Sequence, residues 1–134
     1  MIVVDTNVIA YLWIPGDFTE VAEQALRKDK EWCAPLLWRS EMRNILAGYL
    51  RRKKLSLETA LQIIESAEIH LKDREFTVSS SQVLSLTISS SCSAYDCEFV
   101  ALAENLRVPL VTNDKQILAD FPSITVTLKK FIKN

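Results

Sequence analysis

The sequence predicts an α/β protein: a central parallel β-sheet of about four to five strands flanked by helices, an α/β/α sandwich in one domain spanning residues 1–134. Three observations carry this expectation. Short β-branched runs alternate with longer segments of helical periodicity, the pattern of parallel strands joined by helical crossovers. The length suits one domain that can build a core without disulfides or metals as staples. The balance of 49% hydrophobic and 25% charged residues is that of a globular chain, and no repeat, linker or low-complexity block interrupts it.

The elements follow in order. Residues 2–4, IVV, form the first strand, and residues 6–13 a helix that Pro15-Gly16 stops. A second helix over 18–28 gathers Val21, Ala22, Ala25 and Leu26 on one face. A strand is expected at 32–34, after which Pro35 is expected to open a long helix running to about Lys53. Ser56 caps a helix over 57–71, and a strand follows at 76–78. The serine-rich stretch SSSQVLSLTISSSCS reads as a helix near 80–89 and a loop, because Val83, Leu84, Leu86 and Ile88 interrupt the serines. A helix over 94–106, a strand at 108–112, a short helix at 115–119 and a strand at 124–126 complete the reading.

Composition removes several function classes. The net charge of −1 argues against a bulk electrostatic binder of nucleic acid, though not against a local basic strip. With only Gly16 and Gly48, no glycine-rich phosphate loop can be written, so no nucleotide cofactor is expected. No apolar run approaches the roughly 18 residues of a membrane span and the start MIVVD does not resemble a signal peptide, so a cytoplasmic protein without membrane contact is expected. Cys33, Cys92 and Cys97 match no zinc or redox spacing and read as small core residues. His70 ends a helix pattern and reads as a surface or helix-terminal residue rather than a catalytic base. Trp13, Trp32 and Trp38 read as core or interface packing residues, with base stacking as the alternative.

Four carboxylates stand out. Asp5 follows the first strand, and Asp114 follows the strand VPLVT; each is a candidate helix cap. In parallel sheets ligands bind beyond the carboxyl ends of the strands, where both acids fall. Glu41, in PLLWRSEMRNIL, lies on the shoulder of an apolar stripe beside Leu37, Trp38 and Ile45. Asp96, in SAYDCEFVALAENL, shares a face with Phe99, Val100 and Ala103, while Glu98 and Glu104 are expected to point away. Capping by Ser93 explains an acid near the start of this helix, but not its place on the apolar face. If the four meet, their mutual repulsion, about 4 kcal/mol for a pair ~4 Å apart at an effective dielectric near 20, must be relieved by protons or a cation. An all-oxygen donor set suits Mg²⁺ or Mn²⁺.

VVDTNVIAYL, SEMRNIL, SAYDCEFVALAENL and LVTNDKQIL, in this order and spacing, resemble the four acidic motifs of the PIN-domain ribonucleases, and in particular the toxin ribonucleases of VapBC-type toxin–antitoxin pairs. The resemblance covers essentially the whole chain. It implies a PIN-like fold and Mg²⁺- or Mn²⁺-dependent hydrolysis of single-stranded RNA to a 5′-phosphate product. It also implies a homodimer and an antitoxin partner. Carried onto this chain, Asp5, Glu41, Asp96 and Asp114 are the catalytic and metal-binding acids. Thr6, Asn7, Thr112 and Ser93 are the donors that hold them, with Asn44 a weaker member of that set. Arg39 and Arg43 are expected to touch substrate phosphate. Arg51, Arg52, Lys53 and Lys54 end a helix, where cations suit the dipole, or else receive RNA or an acidic antitoxin segment. A receiver domain would want paired acids after the first strand and a late lysine where Thr112 stands; a haloacid-dehalogenase-type phosphatase would want an aspartate where Asn7 stands. The remaining rival is a PIN-like module that binds RNA or protein without cleaving.

Overall fold

A computed structural model describes residues 1–134. Its centre is a five-stranded, wholly parallel sheet of β1 (Ile2–Val4), β2 (Trp32–Pro35), β3 (Glu75–Phe76), β4 (Leu110–Val111) and β5 (Thr125–Val126), in the order β3-β2-β1-β4-β5. The expected α/β/α sandwich is present. β1 is the middle strand: Val3 sits beside Cys33 of β2 on one flank and Leu110 of β4 on the other. Ile2, Val3 and Val4 are accordingly buried, as are Trp32, Cys33, Ala34, Leu110 and Val111.

Eight helices connect and cover the strands: α1 (Thr6–Trp13), α2 (Thr19–Lys28), α3 (Leu37–Arg51), α4 (Leu57–His70), α5 (Ser80–Ile88), α6 (Ala94–Leu106), α7 (Lys115–Asp120) and α8 (Leu128–Lys133). β1→β2→β3 steps toward one edge, whereas β3→β4→β5 returns across β1 toward the other. Right-handed crossovers therefore put α1–α4 on one face and α5–α7 on the opposite face. The contacts agree: α6 lies along β1, β2 and β4 with α5 against it, while α1, α2, α3, α4 and α8 pack among themselves. The direction of winding reverses between β1 and β4, which is where such sheets open a crevice for ligands.

Several boundaries move. Pro35 belongs to the end of β2, and α3 begins only at Leu37. The amides of Ala34 and Leu36 donate to Arg74 and Phe76 of the β3 segment, so the missing donor of Pro35 falls on the side facing away from β3. β3, β4 and β5 are each two residues long, shorter than the runs at 76–78, 108–112 and 124–126 suggest. α8 was not visible as a periodic pattern; Thr127 caps it by accepting from the Lys130 amide at 3.2 Å, and Leu128 anchors it in the core. His70 does end α4, but it is half-buried rather than superficial. Its ring lies 5.4 Å from Trp32 and 6.0 Å from Trp13, and burial lowers its pKa. The three cysteines are free and buried, as expected.

Candidate functional site

A cleft of about 400 Å³ opens at the carboxyl ends of β1 and β4. Its walls are Asp5, Thr6, Asn7, Leu37, Ser40, Glu41, Asn44, Ile45, Tyr95, Asp96, Phe99, Asp114 and Ile117. The four acids singled out above thus face one space, although they come from four separate segments.

Each is positioned by local structure. Asp5 caps α1: its Oδ1 accepts from the Asn7 amide at 2.7 Å, and its Oδ2 accepts from the Thr112 hydroxyl. Thr112 is fully buried, and its oxygen also accepts from the Asp114 amide at 3.0 Å. One hydroxyl therefore bridges the ends of β1 and β4. Asp114 caps α7, accepting from the Ile117 amide at 3.0 Å. The capping reading is correct for both aspartates, yet capping occupies only part of each carboxylate. Glu41 projects from the second turn of α3, and its Oε1 accepts from the Thr6 hydroxyl at 2.7 Å. Asp96 stands in the first turn of α6, whose cap is Ser93.

Electrostatics mark the cluster. Burial raises the pKa of Asp5, and the charge of Asp114 adds to the rise; bonds from Thr112, Asn7 and Val8 oppose it. Burial likewise raises Glu41, helped by Asp5, Asp96 and Glu98 and opposed by Thr6. Burial raises Asp96 too, with Asp114 adding and Ser93 opposing. Three neighbouring carboxyls with elevated pKa values form a site that is costly to ionise alone and favourable to neutralise with a cation.

The donor set fits a hard divalent ion. Every charged group is a carboxylate, and neither histidine nor cysteine lines the cleft. No three of the side chains are drawn tightly enough to form a ready cage. An ion such as Mg²⁺, which keeps several waters and takes only one or two carboxylates directly, does not require such a cage.

Other expectations are revised. Arg39 is not at the cleft: its guanidinium forks onto Glu75 at 2.6 and 2.8 Å and also reaches Glu68 at 2.5 Å. The Trp38 indole donates to the same Glu75 at 2.7 Å, so Arg39 ties α3 to α4 and β3. Arg43 is exposed and outside the cleft wall. Asn7 holds Asp5 through its backbone amide, while its side chain stands exposed on the cleft wall. Asn44 does line the cleft. Ser93 acts on Asp96 as a cap and stands outside the wall. Glu98 is half-buried rather than free in solvent, and burial raises its pKa.

Two features were missed by sequence reasoning. Tyr95, 63% exposed, stands on the rim of the cleft. Asp120, at the end of α7, gathers the Ser91 amide (2.8 Å), the Ser91 hydroxyl (2.8 Å), the Cys92 thiol (3.4 Å) and the Gln116 amide (3.0 Å). It ties the loop that precedes Asp96 to the helix that follows Asp114. The i, i+4 spacing of Gln116 and Asp120 was the one local signal for it.

Comparison with known proteins agrees with this architecture. The model of the PIN domain matches residues 2–122. Ribonuclease VapC3 of Pyrobaculum aerophilum is 30% identical over 126 residues, which cover 92% of this chain and 96% of that protein. The fold is similar to the crystal structure of PAE2754 from Pyrobaculum aerophilum, with a TM-score of 0.78 at 16% identity over 98% of this chain and 93% of that one. It is also similar to a toxin–antitoxin complex from Klebsiella pneumoniae, with a TM-score of 0.71, 18% identity and coverage of 96% and 98%. A third similar structure is FitAcB from Neisseria gonorrhoeae, with a TM-score of 0.72, 17% identity and coverage of 96% and 99%. Because the matched stretch takes in every segment that feeds the cleft, from β1 through Asp114, the chain belongs to the PIN-domain family.

Proposed function

We propose that this protein is a Mg²⁺- or Mn²⁺-dependent endoribonuclease that hydrolyses RNA phosphodiester bonds at the acidic cleft. The observation that carries the reading is the meeting of Asp5, Glu41, Asp96 and Asp114 on one wall-bounded space, with three of the four shifted toward protonation. Similarity to Ribonuclease VapC3 along nearly the whole chain supports RNA as the substrate.

Asp5, Asp96, Asp114 and Glu41 would hold the ion, which when bound would supply charge neutralisation and Lewis acidity to phosphodiester hydrolysis. The protein's own groups do the remaining work. Thr112 fixes the rotamer of Asp5, and Thr6 fixes that of Glu41. Glu41, half-buried and with an elevated pKa, takes a proton from the attacking water at its free carboxylate oxygen. The water oxygen bonds to phosphorus, the bond from phosphorus to the 3′-oxygen breaks, the departing 3′-oxygen takes a proton from solvent water, and a 5′-phosphate and a 3′-hydroxyl result. Leu37, Ile45, Phe99 and Ile117 form the aliphatic and phenyl part of the wall and limit water around the acids.

The similarity to Ribonuclease VapC3 and the fold shared with a toxin–antitoxin complex support a toxin role with an antitoxin as partner. We further propose, as the resemblance of its motifs to the VapBC-type toxins implies, that the protein acts as a homodimer in the cytoplasm. No helix of the molecule is long and apolar enough to cross a membrane.

The test is cleavage of single-stranded RNA by purified protein with Mn²⁺, Mg²⁺ or EDTA, using wild type, Asp5→Asn and Asp96→Asn. Cleavage that needs the ion and both aspartates is expected. RNA bound but left intact with either ion would make the protein a binding module instead, and cleavage that persists in EDTA would refute the role given to the acids.

A further inference from the structure

The basic run at the end of α3 is shaped by more than the helix dipole. The helix closes with the Lys54 amide donating to the Tyr49 carbonyl at 2.9 Å and the Lys53 amide to the Leu50 carbonyl at 3.0 Å. This is the double bond of a Schellman ending, normally completed by glycine at the left-handed position. Here Lys53 holds that position with φ of 56°, so a non-glycine residue bears the strain. The closure wraps the chain around Tyr49 and lays the Arg52 guanidinium over its ring, 5.0 Å from the centroid.

Tyr49 in turn lines a recess of about 220 Å³ that shares Asn7 and Ile45 with the acidic cleft, so the two spaces adjoin. Across the recess Phe18, 46% exposed, stacks on Tyr11 with ring centroids 4.7 Å apart. An aromatic side chain exposed to this degree, supported from behind by a second ring, offers a flat face to a planar ligand. Asp17 and Asn7 add hydrogen-bonding groups to the same space. The Arg52 charge, held over the ring of Tyr49, is free of any carboxylate partner, unlike that of Arg39.

We propose that this recess is a nucleobase subsite: Phe18 and Tyr49 stack a base of single-stranded RNA next to the scissile phosphodiester, and Arg52 takes the adjoining phosphate. The inference rests on the ribonuclease reading. Aromatic faces beside a guanidinium are the usual means of holding single strands, and an acidic cleft that repels phosphate needs binding contributed nearby. Stacking on Phe18 selects strands whose bases are free to turn outward, so paired RNA is a poor substrate.

The experiment uses single-stranded oligoribonucleotides with one cleavage site, each carrying one abasic nucleotide at a different position around it, assayed with Mn²⁺. In wild type, removing the base at one flanking position raises KM about fivefold or more, with the larger share of the loss in KM rather than kcat. In Phe18→Leu, which keeps apolar volume without the ring face, intact RNA already shows the higher KM and the abasic penalty at that position vanishes. Arg52→Gln, an exposed change, lowers the salt dependence of binding by about 0.7 in log–log slope. An abasic penalty undiminished in Phe18→Leu, or a salt slope unchanged in Arg52→Gln, overturns the subsite. If wild type cleaves nothing, the ribonuclease reading has failed separately; the same oligonucleotides read by fluorescence anisotropy then decide the subsite by the same criteria.

Discussion

Replacing the Asp5 carboxylate by an amide separates the cost of that charge from its use. In Asp5→Asn the amide oxygen still accepts from the Asn7 amide, and the new NH₂ can donate to the Thr112 oxygen, which has a second lone pair beyond the one facing the Asp114 amide. The proton of the buried Thr112 hydroxyl, however, loses the carboxylate oxygen that accepted it, at a cost of about 1 kcal/mol. The bonds to Asn7 and Thr112 weaken from charge-assisted to neutral, a loss of about 1 kcal/mol. What disappears is a carboxylate only 6% exposed, repelled by Asp114, and the effective penalty for such a buried ion is several kcal/mol. The metal-free variant is therefore expected to be more stable by about 1–2 kcal/mol, roughly 5 °C in Tm for a chain of this size. The sign with pH follows from the raised pKa: protonated Asp5 is favoured in the native state, so the advantage of the variant is absent below the ordinary value of 3.8 and grows as pH rises through the native pKa. Added Mn²⁺ reverses the order. At a hundred times its Kd an ion that binds only the native state adds about 2.7 kcal/mol, and the variant lacks an acid to hold it. Thermal unfolding by differential scanning fluorimetry, with and without Mn²⁺ and alongside RNA cleavage, measures both effects, with cleavage expected to fall by about 10²-fold or more. A variant that melts below wild type without metal, or that gains as much from Mn²⁺ as wild type does, refutes the reasoning.

Other perturbations separate further parts of the structure. Thr6→Val removes the hydroxyl donating to Glu41, so the half-buried carboxylate ionises less readily; metal affinity should fall about 10–100-fold and the acid limb of the rate profile should move to higher pH, read by titrating Mn²⁺ across a pH series. Asp120, with its pKa lowered to about 2 by the bonds from Ser91, contributes stability that is full above the ordinary 3.8 and lost as pH falls toward 2. Asp120→Ala should flatten that part of the acid unfolding curve, and an unaltered curve would show the clamp to be idle. Burial pushes the Cys92 thiol up to about 12 and also raises Cys33 and Cys97, so iodoacetamide at neutral pH should leave the native protein unlabelled and modify three thiols after unfolding. Rapid labelling of the native protein would contradict the packing of these residues.

Local periodicity was enough to locate β1, the helix faces and all four acids, because burial on one face and capping at one end leave a trace within a few residues. Asp96 was conspicuous for the same reason: a charge on an apolar stripe violates a pattern readable from its neighbours. The expectation that Asp5 and Asp114 meet depended instead on β1 and β4 being adjacent, and they are separated by two other strands in sequence. Pairing of that kind is set by the sum of long-range packing, and only the fold shows the winding reversal that opens the crevice between them. Arg39 and Glu75 make the contrast sharp. They lie 36 residues apart, and nothing near either residue marks the other as its partner, so an arginine beside Glu41 in sequence reads as a phosphate contact until β3 brings Glu75 to it. His70 between Trp13 and Trp32, the single hydroxyl of Thr112 bridging two strands, and the recess joining Tyr49 to Phe18 belong to the same category. Residue types and their local spacing determined which groups are available, while the pairing of distant segments decided which of them face one another, since side-chain contact is a property of the packed chain rather than of its order.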